Sequence, residues 1–140
     1  MRVFLDTNVL VAGLATRGLC CELLEHVIHD HELLTCVPVL AELERILAGK
    51  LHLPAPAITG FLALLKSEGK LVEPGETPAI AIKDADDVRI LACAISGKAD
   101  VFVTGDRELL DLRRVENLPI VSPRELWLRL MGLDAPGKPE

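Results

Sequence analysis

What most constrains this chain is a recurrence. Short apolar runs, three to five residues long, alternate with stretches of helical periodicity. The runs fall at residues 2–5 (RVFL), 33–37 (LLTCV), 70–73 (KLVE), 100–103 (DVFV) and 119–121 (PIV). Runs this short and this apolar read as buried strands. Between them, helical spacing covers residues 19–29, VLAELERILA after Pro38, 57–68 up to Gly69, 87–96 up to Gly97, a short stretch after Asp106, and 123–131. Strands alternating with helices imply βαβ units and a mainly parallel sheet covered on both faces. Sites in such sheets form beyond the carboxyl ends of the strands, where the strand order reverses.

At 140 residues, half of them hydrophobic and 26% charged, the chain suits one globular domain. Residues 1–131 read as that domain, with no internal repeat, and residues 132–140 (GLDAPGKPE) as a flexible tail. No apolar run approaches the roughly 18 residues of a membrane helix. MRVFLD is not a signal peptide, because its short apolar stretch ends in a carboxylate. These features predict a cytoplasmic protein with no membrane association. Cys20, Cys21, Cys36 and Cys93 contain no C-x-x-C pair, so they read as reduced thiols rather than a zinc site. The net charge of −6 argues against a simple electrostatic binder of nucleic acid. One Trp, three Phe and no Tyr leave little for base stacking.

The acids have a pattern. Asp6 follows VFL, and Asp106 follows VFVTG, so both close strands at one edge of the sheet. Asp84 and Asp87 lie where a helix begins, in KDADDVRIL. Each Asp alone could be a helix cap. In the helix after the second strand, Val39, Leu43, Ile46 and Leu47 form one stripe, and Glu42 and Glu44 flank it on opposite sides. Periodicity does not choose between those two glutamates. Capping does not predict a glutamate there, nor three caps at one edge. Carboxylates brought together repel, and take up protons or cations. Hard oxygen donors select Mg²⁺ or Mn²⁺, one ion or two, and two-metal carboxylate sites serve phosphodiester hydrolysis. Setting aside Asp6, Glu42, Asp84, Asp87 and Asp106 takes the net charge from −6 to −1, so one acidic pocket accounts for most of it.

FLDTNVLVAGL, VPVLAELERIL, DADDVRILACAISGKADVFVTGDRELL and PIVSPREL together resemble the PIN-domain family. They are most similar to its single-domain prokaryotic members, the ribonuclease toxins of toxin–antitoxin modules. The resemblance runs from residue 2 to about residue 128. It implies a three-layer α/β/α sandwich on a five-stranded parallel sheet ordered 3-2-1-4-5. It also implies a metal-dependent endoribonuclease with Asp6, Glu42, Asp87 and Asp106 as the acids, which selects Glu42 over Glu44. Asp84 matches a further acid of this subgroup, and Thr7, Asn8 and Thr104 match residues that support the carboxylates. The family further implies an RNA substrate, an antitoxin partner and a homodimer. Arg107, Arg113 and Arg114 are candidates for contact with the RNA backbone.

Three other functions compete, and of these a receiver-type signalling domain lacks the acidic pair and lysine arrangement it needs. An aspartyl phosphatase needs a second Asp two residues after the first, and that position is Asn8. A non-catalytic PIN-like module for RNA or protein binding is the main alternative, although this chain keeps all four acids.

Overall fold

The computed structural model describes residues 1–133. Strand β1 (Arg2–Leu5) leads directly into helix α1 (Thr7–Ala15), and helix α2 (Leu19–Asp30) returns the chain to strand β2 (Glu32–Thr35). Helices α3 (Val37–Gly49) and α4 (Ala55–Glu68) follow, then strand β3 (Gly69–Leu71). Pro38 sits in the first turn of α3, where its missing N–H costs nothing. A connection carrying no helix or strand reaches helix α5 (Ala85–Ser96) and strand β4 (Val101–Val103). The chain closes with helix α6 (Arg107–Leu112), strands β5 (Arg114–Val115) and β6 (Leu118–Val121), and helix α7 (Pro123–Leu130). A full capping box of Ser122 and Glu125 starts α7.

The six strands form one sheet in the order β3-β2-β1-β4-β6-β5. All neighbours run parallel except β5 and β6. Val3, Phe4 and Leu5 in β1 are wholly buried, as are Val101, Phe102 and Val103 in β4. Successive strand residues point to opposite faces, so helices cover both faces of the sheet. Phe4 and Phe102 are register partners, and their rings stack at 5.4 Å.

The expected order 3-2-1-4-5 holds for the parallel strands, with β6 in the fifth place. The expected count of five is corrected to six. Strand β5 has only two residues, too few for any alternation to register, and it pairs back on β6 through a turn in which Glu116 takes φ 53°. Helix α5 also starts earlier than its apolar spacing suggests, at Ala85 rather than Asp87, because Asp84 caps it. The tail placed at residues 132–140 lies mostly outside the described residues. Gly132 and Leu133 are held to the end of α7 by backbone hydrogen bonds to Arg129 and Leu128. No single helix among the described residues is long and apolar enough to cross a membrane.

The sheet order reverses between β1 and β4, which are adjacent yet connect to strands on opposite sides. Their carboxyl ends deliver Asp6 and Thr104 side by side. The Asp6 N–H extends the ladder by donating to the Val103 carbonyl at 2.9 Å.

Candidate functional site

Asp6 is the centre of the switch point, and it is 4% exposed. It caps α1: its Oδ1 accepts from the Thr7 N–H at 2.8 Å. Its Oδ2 accepts from the Thr104 hydroxyl at 2.8 Å and from the Asn8 amide at 3.1 Å. The Asn8 amide also donates to Thr104 Oγ1, at 3.2 Å, and the Asp106 N–H does the same at 3.1 Å. Asn8 Oδ1 accepts from the Gly105 N–H at 2.8 Å. A Cβ on Gly105 would come within 3.3 Å of that oxygen, so a side chain there would press on Asn8. The β1–α1 and β4–α6 turns are thus joined by one hydrogen-bonded network that orients a single buried carboxylate. Asn8 and Thr104 do this through their side chains. Thr7 does it through its backbone, and its hydroxyl has no hydrogen-bond partner among the described residues.

The other acids stand around this centre. Asp106 is half-buried and caps α6 with one oxygen, accepting from the Glu108 N–H at 2.9 Å. Asp84 is exposed and caps α5, accepting from the Asp86 N–H at 2.8 Å. Capping therefore leaves room for a site, since each of these caps leaves its second oxygen without a donor among the described residues. Asp87 is half-buried in the first turn of α5. Glu42 is half-buried on α3, whereas Glu44 is exposed. Asp86 is exposed.

Electrostatics ties these groups together. Burial raises the Asp6 carboxyl above the ordinary range. The Thr104 and Thr7 hydrogen bonds oppose that rise, and the charges of Glu42 and Asp106 add to it. Asp87 is pushed up to about 7, first by burial and then by the charges of Asp84, Asp6, Asp106 and Glu42. Asp87 therefore feels the other four acids, and Asp6 feels Glu42 and Asp106. No cationic side chain among the described residues pairs with Asp6, Asp84, Asp87 or Asp106 within 4 Å, and Glu42 has only a 3.8 Å contact to Arg45.

The donor set fits a hard divalent cation in kind: carboxylate oxygens only, carrying uncompensated negative charge. Among the described residues, no three acidic, His or Cys side chains stand close enough to enclose a metal ion as they are arranged. Asp6, Glu42, Asp87 and Asp106 share one electrostatic neighbourhood without forming a closed coordination shell.

The predicted arginines divide. Arg107 follows Asp106 directly at the start of α6 and is exposed at this edge. Arg113 ends α6 with φ 60°, and Arg114 lies on edge strand β5. Both belong to the outer edge of the sheet, with β4 and β6 between them and β1. Arg45 and Arg89, which did not stand out in the sequence, line a cleft beside Glu42. Nothing in their helices marked them, because exposed charges recur on the outer face of almost any helix.

Known structures share this architecture. The chain is similar to PAE2754 from Pyrobaculum aerophilum, with a TM-score of 0.67 at 20% identity over 94% of this chain and 90% of that one. It is similar to the structure of VapBC2 from Rickettsia felis bound to a DNA fragment from the promoter, with a TM-score of 0.63 at 19% identity over 87% and 98%. VapBC-1 from nontypeable Haemophilus influenzae gives a TM-score of 0.61 at 19% identity over 89% and 99%. No curated protein sequence matches the chain. A family model described as PIN domain matches residues 2–108, a span that carries both joined turns and all of the acids. With the acids of that span gathered at the switch point of a parallel sheet, the chain belongs to the PIN-domain family.

Proposed function

We propose that this protein is a metal-dependent endoribonuclease and acts as the toxin of a toxin–antitoxin module. The observation that carries the reading is Asp6: a buried carboxylate with no cationic partner within 4 Å among the described residues, hydrogen-bonded at both oxygens and in electrostatic reach of Glu42, Asp87 and Asp106. A protein does not hold such a group for stability, since an uncompensated buried charge costs several kcal/mol (order of magnitude). The likeness to VapBC structures supports the toxin–antitoxin context.

Asp6, Asp87 and Asp106 would hold Mg²⁺ or Mn²⁺, with Glu42 and Asp84 completing the set. When bound, such an ion activates water and stabilises charge on a phosphodiester in the course of its hydrolysis. The protein's own residues do the rest. Thr104, Asn8 and the Thr7 amide keep the Asp6 carboxylate in one orientation, which is how outer partners tune a ligand. Asp87, at about 7, loses its proton near neutral pH and at lower pH once a cation compensates its neighbours. Arg107, at the same edge, offers a cation to a passing RNA strand. A cytoplasmic location, a homodimer and an antitoxin partner belong to the same reading.

The test is cleavage of a structured RNA pool with Mg²⁺ or Mn²⁺ and with chelator. The parent should cut only with metal, and Asp6→Asn should fold but lose at least a hundredfold in rate, the roughly 10²–10³ associated with losing one group that stabilises the transition state. Equal cutting by Asp6→Asn would overturn the assignment of the site to Asp6, and no cutting by the parent would leave the non-catalytic module as the better reading.

A further inference from the structure

We infer that the cleft between α3 and α5 is an anion subsite, and that it takes a backbone phosphate of the RNA strand adjacent to the one at the acids. The cleft encloses about 180 Å³. Pro38, Glu42 and Arg45 line it from α3, and Asp86, Arg89 and Ile90 from α5. The spacing is that of two facing helix stripes: Pro38, Glu42 and Arg45 recur at four and three residues, and Asp86, Arg89 and Ile90 at three and one.

Glu42 sets the location. It is in the electrostatic neighbourhood of Asp6 and Asp87, and it is also a wall of this cleft. A strand lying across the acids therefore has this cleft as its next stop on that side. The two guanidiniums are available there. Arg89 is exposed and has no carboxylate within 4 Å among the described residues. Arg45 has only Glu42, at 3.8 Å, a contact too long and too exposed to hold it. Planar guanidinium forks suit phosphate oxygens and bind them in pairs.

The groove that Asp106 borders differs. The groove lined by Asn8, Val9, Ala12, Cys20, Asp106 and Pro123 has no cationic wall among the described residues. The acids thus border one cleft that carries two arginines beside Glu42 and Asp86, and one groove whose walls carry none among the described residues, which gives a bound strand a direction. Phosphate contacts position a strand without reading its sequence, so Arg45 and Arg89 are positioning residues.

The identity of the strand rests on the ribonuclease reading, and the test separates the two. Labelled single-stranded RNA is titrated against Asp6→Asn, so that the strand stays intact, in Mg²⁺ and across a salt series. The same titration is run with Arg45→Gln and Arg89→Gln added singly and together. Each substitution should weaken binding roughly tenfold, as expected for a charge-assisted hydrogen bond. Two lost phosphate contacts should flatten the slope of log affinity against log salt by about 1.4. With Asp6 intact, KM for cleavage should rise while kcat holds, and Arg45→Lys should recover part of the loss. The thermal midpoint should not move. Unchanged affinity and slope would overturn the inference. Unchanged RNA affinity with lost binding of poly-glutamate would also overturn it and assign the cleft to an acidic peptide. If the parent never cuts RNA but the arginine losses stand, the cleft survives and the nuclease reading falls.

Discussion

Asp87 is the side chain whose protonation reports most directly on the crowding of the acids. Its carboxyl sits at about 7 in the folded protein, against about 3.9 for an unperturbed Asp. A raised folded pKa means that the folded state binds the proton more tightly than the unfolded state does. The contribution of Asp87 to stability is therefore most favourable at low pH and declines as pH rises from about 4 to about 7. In chelator, Asp87→Asn should be more stable than the parent at pH 8, and this advantage should shrink toward pH 5. Urea denaturation at both pH values measures it. Saturating Mn²⁺ should reduce or reverse the advantage, because the cation compensates the charge in the parent. An advantage that does not change with pH would mean that Asp87 is not crowded. At this scale the sequence was informative about kind and not about partners. Asp6 and Asp106 were legible because they end strands, and strand ends point to one edge. Glu42 and Glu44 were indistinguishable by period, since both flank the same apolar stripe; only the packing of α3 against α1 and α5 half-buries Glu42 and leaves Glu44 in solvent. Arg45 and Arg89 were illegible for a like reason, because the cleft they share comes from two helices far apart in the chain.

Among the elements, the junction of α5 with the segment after β3 carries a tight restraint. Gly97 caps α5, and a Cβ there would lie 2.6 Å from Val72 Cγ1 and 3.1 Å from the Cys93 carbonyl. Val72 donates its N–H to the Thr35 carbonyl at 2.9 Å, so it is tied to the sheet and has little freedom to retreat. Gly97→Ala should cost about 1–3 kcal/mol through overpacking, read as a lower urea midpoint with an unchanged slope. A midpoint equal to the parent's would show that Val72 yields. The helix ends at Gly69 and Gly97 were legible because glycine closes helices there. The start of α5 was not, because Asp84 and Asp87 are both plausible caps by type, and the choice of Asp84 is made by backbone geometry. Strand β5 was hidden for a different reason: two residues of an edge hairpin bury a single side chain, Val115, which leaves no periodic trace.

For the whole molecule, the question is why a chain of net charge −6 gathers five acids at the switch point of its sheet. Mutually repelling carboxylates, one buried and three half-buried, lower the stability of the fold that holds them, and a bound cation would offset that cost. A ligand that binds only the folded state must raise its stability, by about 2.7 kcal/mol at a hundredfold excess over Kd. The decisive measurement is a thermal unfolding series in Mn²⁺ and Mg²⁺, from chelator to saturation, for the parent and for Asp6→Asn. The account predicts a midpoint that climbs with metal concentration in the parent and stays nearly flat in Asp6→Asn. A parent midpoint that ignores both cations, or an equal climb in the variant, would contradict it.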